Sequence, residues 1–296
     1  IELRGFAPID PAEATARAAL AFVAHTDAII FDLRRNGGGD PTMVQYLTSH
    51  FLEPGGETLI NTFVSRDYEY PNQMWSLPSH PAGHRPDVPI YVLTSGRTAS
   101  AAEGFSYHLQ AMERGTLVGE TTYGAGNPGG VQIVPEGYGV FVSTGSARNP
   151  ITGTNWEGTG VTPDIEIDAD QALDRAMMEA YGLLESLAAD ENHRRELGWI
   201  REGLEVARNP VVLSETELAR YAGDFGPRDI RVENGGLVYQ REGRDPVPLI
   251  ALGEHRFKFA DDDSYRLVFQ LNRRGRVEAL ELRLLDGRTE LNPVVR

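Results

Sequence analysis

The 296-residue chain has no cysteine and a single lysine, Lys258. The first absence excludes disulfides, a thiol nucleophile and thiolate metal sites, and says nothing about compartment. The second leaves one side-chain amine in the whole sequence, the other basic residues being almost all arginine. Positive charge is short overall: net charge is −15 and the pI about 4.9, which argues against nucleic acid as a partner. No apolar run approaches the ~18 residues of a membrane-spanning helix; the longest, around Asp27 to Leu33, has the length of a strand. No histidine/carboxylate cluster has metal-ligand spacing, and Asp261-Asp262-Asp263 lacks the glycine and distal glutamate of an EF-hand loop. Neither a metal nor an organic cofactor is therefore expected. No signal peptide is visible, yet Ile1 to Phe6 already reads as the middle of a strand, so further sequence is expected upstream.

What is present reads as two regions. Hydrophobic residues make up 41%, ample material for a core. From Ile1 to about Asp168, the apolar runs Ala28–Phe31, Pro89–Leu93 and Val140–Val142 alternate with helical patterns over Ala12–Ala24, Thr42–Leu52 and Ala101–Glu113. Continuous apolar strands between helices predict an α/β core with a buried, largely parallel sheet. A charged, amphipathic helical stretch follows over 171–208, with Leu173, Met177, Tyr181, Leu184 and Leu187 at spacings of three and four. Asn209-Pro210 breaks it. Beyond lie a capping-box pattern at Ser214-x-x-Glu217 and alternating strands divided by Asn234-Gly235-Gly236, Asn272–Gly275 and Asp286-Gly287. The expected division is an α/β domain over 1–209 and a small antiparallel β sandwich or barrel over 210–296.

Two turns carry the chemistry. A buried strand ends at Leu33 and runs into Asn36-Gly37-Gly38-Gly39, with Asp40 a good N-cap and Pro41 a good first helical residue. Glycines let backbone N–H groups face outward, as an oxyanion hole requires; a tight strand-to-helix turn with no ligand explains the same residues. The second strand runs into Ser95-Gly96-Arg97-Thr98 and a helix that begins near Ser100. The positive end of that helix could hold an oxyanion, but Ser100-x-x-Glu103 is also a capping-box pattern.

Together these segments resemble the tail-specific (C-terminal processing) serine peptidases, which share the crotonase/Clp-protease fold. Ser100-Ala101-Ala102-Glu103 resembles their serine signature. Leu117-Val118-Gly119-Glu120-Thr121-Thr122-Tyr123-Gly124 and Gly160-Val161-Thr162-Pro163-Asp164-Ile165 resemble two further stretches, in the same order. The resemblance covers roughly Ile1 to Asp168. It implies Ser100 as nucleophile, with the Gly38 and Ala101 N–H groups as oxyanion donors. It also implies a peptide or protein substrate and a periplasmic or secreted bacterial setting; homo-oligomerisation is compatible with it.

The base is the departure. Where the lysine branch of the family has its lysine, this chain has Ala125, and Gly129 replaces a glutamine. The tricorn and retinoid-binding-protein-like branch uses a histidine with a glutamate ahead of Gly-Val-x-Pro-Asp; Glu157 matches that glutamate, while Glu2 stands at or beside the histidine position. His108 lies eight residues, about 12 Å of helical rise, beyond Ser100. His25 and His50 read as surface or helix-end residues. His80 and His84 fall in a Pro/Gly loop that could fold over the site, and Glu2 itself would need a raised pKa to serve. A histidine from upstream of Ile1 is the remaining expectation. The alternative activity is non-catalytic carriage of a peptide or lipophilic ligand on the same scaffold; acyl-CoA chemistry lacks basic residues for the phosphates. The segment from Ala219 loosely resembles small β modules appended to bacterial β-lactamase-like and peptidase proteins.

Overall fold

A computed structural model describes residues 1–66 and 69–295. They divide into two compact units, Ile1–Ala176 and Met177–Arg296, each with its own apolar core.

In the first unit the elements run α1 (Ile9–Phe22), β1 (Ile29–Asp32), α2 (Pro41–His50), β2 (Leu59–Ser65), β3 (Asn72–Trp75), β4 (Ile90–Thr94), α3 (Ala101–Ala111), β5 (Thr116–Gly119), β6 (Gly129–Ile133), β7 (Gly139–Ser143), β8 (Gly145–Arg148) and β9 (Ile165–Glu166). The central sheet has the order β1-β4-β5-β9. Its pairs are parallel, with Ile29 opposite Ile90 and Tyr91 opposite Thr116. All five residues of β4 are buried, as expected of a strand covered on both faces. The chain's first residues extend this sheet at the β1 edge, through Asp32 N–H to Ile1 O at 2.8 Å and Leu3 N–H to Asp32 O at 3.1 Å. Phe31, from β1, meets Phe105 of α3 at 5.1 Å and Phe51 just past α2 at 5.6 Å, both edge-on. This stack fixes both helices against the sheet and so fixes the turns that precede them.

Helix α2 starts as the sequence predicts: Asp40 accepts from the Thr42 N–H at 2.8 Å, with Pro41 in the first turn. The run Val140–Val142 does not join the core. It belongs to β7, which among the described residues pairs only with β6, as an antiparallel hairpin, and every residue of β7 is exposed. Three apolar residues between Gly139 and Ser143 have strand character, but no feature of the run itself decides whether a second layer covers it.

After α4 (Ala172–Leu187), α5 (Glu191–Arg208) of the second unit is capped by Asp190, whose side chain accepts from the His193 N–H. The short α6 (Glu215–Leu218) opens on Ser214. Eight strands follow from Gly223 to Pro293, each pairing antiparallel with the next. The sheet curls until Val295 N–H reaches Asp224 O at 2.8 Å. Asn234 and Gly235, both at positive φ, make a two-residue hairpin loop, the geometry an Asn-Gly turn favours.

The division falls within the helical stretch, well ahead of the expected Pro210. Helix α5 packs with the β unit because Glu202 takes bonds from Arg256 at 2.5 Å and Arg266 at 3.0 Å, while the Arg266 guanidinium lies 4.6 Å over the Trp199 ring. Amphipathicity declares that a helix packs, and not which core it packs on.

Candidate active site

Both turns leave the carboxyl ends of neighbouring parallel strands, so the sheet sets them side by side. Asn36, fully buried, ties them. Its Nδ2 donates to Leu3 O at 2.8 Å, its Oδ1 accepts from the Gly38 N–H at 2.8 Å, and its carbonyl accepts from the Ala99 N–H at 3.1 Å. Ser95 Oγ and Thr98 Oγ1 donate to the carbonyls of Arg34 and Leu33, at 2.7 and 2.9 Å. The approach is close enough to require glycine: at Gly38, φ is +106°, and a Cβ would lie 2.7 Å from both Ala99 O and Ser100 Cβ.

Ser100 itself has φ +56° and ψ −119°. A helix N-cap ordinarily sits in the β region, and a non-glycine residue held elsewhere costs on the order of 1–3 kcal/mol. Glu103 holds it there. Its fully buried carboxylate accepts four bonds: from Ser100 N–H at 2.7 Å, Thr122 Oγ1–H at 2.6 Å, Gly124 N–H at 2.6 Å and Ala125 N–H at 2.8 Å. One side chain thus joins the serine turn to the 122–125 loop. Glu157 does the same for the next stretch, its Oε2 accepting from the N–H groups of Gly126 and Asn127, each at 2.8 Å.

Ser100, Ala101 and Ala125 border a cavity of about 120 Å³. Gly104, one turn along α3, contributes no side chain to fill it; a Cβ there would stand 3.3 Å from the Trp156 ring and 3.7 Å from His108 Nε2. His108 therefore lines the same cavity as Ser100. The axial rise separates the two, but side chains four and eight residues apart share one helix face and lean toward its N-terminus. That pattern, with a glycine between, was the signal available in the sequence. His108 is held neutral, burial pushing its pKa down to about 3. Asn149 Oδ1 accepts from the N–H groups of Ile151 and Thr152, so its Nδ2 donates to His108 Nδ1 at 3.1 Å, and the imidazole proton resides on Nε2.

A model of peptidase family S41 matches residues 1–167. The chain belongs to this family. A carboxy-terminal-processing protease of Bartonella bacilliformis is 29% identical over 139 residues, 47% of this chain and 30% of its own. A carboxyl-terminal-processing protease of a Picosynechococcus species is 30% identical over 165 residues, 55% of this chain and 37% of its own. The chain thus spans about a third of the length of these relatives. Among solved structures, one from Parabacteroides merdae, described as a candidate peptidase, aligns at TM-score 0.50 with 22% identity, covering 60% of this chain and 59% of that one. The fold is an α/β core around a parallel sheet plus a separate curled antiparallel sheet.

Within the S41 core, Ser100, Ala101, Gly38 and Ala125 come together, and Glu157 joins them through the loop it braces. The other candidates for a base lie elsewhere. His80 is buried against the Tyr46 ring at 4.2 Å, with Nε2 3.1 Å from Tyr46 O, and His84 Nδ1 lies 2.9 Å from Leu52 O. The loop that carries them is packed on α2 rather than over the serine. His50 ends α2 as expected but is buried. Glu2 pairs with Arg4 at 2.8 Å and lines a separate cleft with Arg34, Glu120 and Asp168. In the second unit, the Lys258 ammonium is bound to Asp263 at 2.7 Å.

Proposed function

We propose that this S41 domain is a serine-type peptidase in which Ser100 Oγ attacks the carbonyl carbon of a peptide bond. The observation that carries this reading is the positive φ of Ser100, held by Glu103 on one side and Gly38 on the other. A serine needed only to cap α3 would relax to the β region. A serine presented on a sharp strand-to-helix turn, with its own residue exposed, has the geometry of a nucleophile elbow.

In this reading, attack places negative charge on the former carbonyl oxygen. The Ala101 N–H at the start of α3 is one donor to it, aided by the helix dipole. The glycine turn supplies the other. Gly38 N–H is already bonded to Asn36, so in this geometry Gly39 is the better donor: it borders the same cavity, and its N–H has no partner among the described residues. Gly38 then serves as the close-packed residue behind Ser100. Glu157 acts as a brace for the 126–127 backbone, and Ala125 puts a methyl group where a lysine would stand. Ser100's proton acceptor is assigned to none of the side chains lining the cavity, since His108 accepts from Asn149 through Nδ1. That observation favours the second reading, binding of a peptide or lipophilic ligand without cleavage.

Fluorophosphonate labelling of the protein beside Ser100→Ala separates the two. Labelling that disappears in the variant establishes an activated serine. No labelling of the unaltered protein, where a control serine hydrolase reacts, selects the binding function.

A further inference from the structure

The cavity beside Ser100 has apolar walls and a floor of hydrogen-bond donors. Its walls include Val44, Phe63, Met74 and Trp156, and its floor is Asn61 and His108, each only 1% exposed. On the same measure one water needs about 10–15 Å³, so about 120 Å³ holds a side chain. The β2–β3 register shifts between Leu59 and Asn61, and such a shift re-aims a strand side chain. Asn61 Oδ1 is sealed inside the protein, so the amide presents Nδ2 to the cavity, with no hydrogen-bond partner among the described residues. His108, whose Nδ1 accepts from Asn149, carries its proton on Nε2, on the side facing Gly104. That N–H is likewise without a partner among the described residues. Both nitrogens donate and neither accepts. Asn127, the other amide of the lining, has its Oδ1 engaged by Asn155 Nδ2 at 3.1 Å. No carboxylate and no cationic side chain lines the cavity.

We infer that this cavity is the specificity pocket for the residue on the acyl side of the cleaved bond, and that it selects an uncharged side chain with an apolar stem and a hydrogen-bond acceptor at its tip, as in glutamine. The inference rests on Ser100 being the nucleophile. The tip oxygen has two lone pairs to offer Asn61 Nδ2–H and His108 Nε2–H. A purely apolar guest strips water from both donors and pairs neither, and that loss generates the selectivity. A carboxylate also accepts, but it exchanges its hydration for neutral donors alone. It further meets the Glu103 and Glu157 carboxylates, which already hold the 125–127 backbone from behind. An ammonium or guanidinium turns donors toward donors, with no acceptor charge in the lining to pair with it.

The test places four residues of similar length at that position: glutamine, methionine sulfoxide, methionine and glutamate. The sulfoxide carries a neutral oxygen acceptor and no N–H, so it isolates the acceptor from the rest of the amide. In kcat/KM on the full chain, glutamine and the sulfoxide are each expected to lead methionine by about tenfold to a hundredfold, with glutamate behind glutamine. Asn61→Leu, which replaces the amide donor with an apolar group of similar volume, is expected to shrink the lead over methionine. Equal rates for methionine and its sulfoxide, glutamate ahead of glutamine, or a lead that Asn61→Leu leaves unchanged overturns the proposal. The comparison on the unaltered protein decides alone if Asn61→Leu does not fold. Calorimetric binding of the same peptides to Ser100→Ala reads the pocket without turnover. If fluorophosphonate fails to label Ser100 but binding shows the acceptor preference, the nucleophile reading has failed and the pocket stands. If labelling succeeds and binding shows no preference, the pocket has failed alone.

Discussion

Two helices of this chain open on the same pattern, Ser100-x-x-Glu103 before α3 and Ser214-x-x-Glu217 before α6, and the two serines adopt different backbones. Ser214 has φ −67° and ψ 158°, the extended conformation of an ordinary cap, and its Oγ and N–H trade bonds with Glu217 at the surface. Ser100 has φ +56°, and its glutamate is fully buried with four donors drawn from two segments. A capping box needs only its own four residues. The Ser100 turn needs Gly38 from one loop and Thr122 to Ala125 from another. The pattern is local in one case and the visible fragment of a tertiary device in the other.

The largest expected contrast is chemical. Ser100→Ala abolishes fluorophosphonate labelling and peptide turnover, while Ser214→Ala leaves both intact. Equal labelling of the two variants by intact-mass analysis would end the comparison. Next come the supports. Gly38→Ala forces a Cβ into the Ser100 turn at a backbone angle that L side chains rarely adopt. It is expected to cost roughly 2–4 kcal/mol of stability and, by shifting the serine, about a hundredfold in kcat/KM. Glu103→Gln turns an amide NH₂ toward a shell of donors and should cost about 3 kcal/mol in chemical denaturation. Glu217→Gln at the surface should leave the midpoint unchanged.

Acid sharpens the contrast further, because α3 carries a buried imidazole and α6 carries none. Burial pushes His108 down to about 3 and His80 down to about 4. The unfolded chain takes up protons near the ordinary 6.5 that the fold refuses. Stability of the first unit is therefore full above about pH 6.5 and begins to fall as pH drops through that value. The loss grows to a few kcal/mol for the fully buried His108 by about pH 4, and to less than that for the less deeply buried His80. Melting curves from pH 7 to 4 should show this loss, and a flat profile would count against neutral buried histidines. The smallest loss expected to be measurable is that of Ser214→Ala itself, about 1 kcal/mol from a lost cap.

The strand–turn–helix order of the first region was legible because burial on both faces writes continuous apolar runs, and because Asp40-Pro41 and Asn234-Gly235 form their structures from local chemistry alone. The meeting of Ser100 with the glycine turn was legible through resemblance and spacing. Three features were not. The exposure of Val140 to Val142 depends on the absence of a covering layer, which no run of three residues records. The place of His108 depends on Gly104 and on Asn149, forty-one residues away. The bond from Gly38 N–H to Asn36 Oδ1 depends on a side-chain rotamer inside the turn, and it moves the proposed donor role one glycine along.

Lys258, bound to Asp263 and nearly buried, gives the chain an unusual transparency to acylating reagents. Most proteins present many amines that take up an acyl group and blur the count of adducts. Here the only lysine is sheltered by its carboxylate partner, and there is no thiol to compete. An activated ester or lactone that stays on this protein near neutral pH therefore has few places to be, and a single added mass becomes a direct test of the proposed acylation of Ser100.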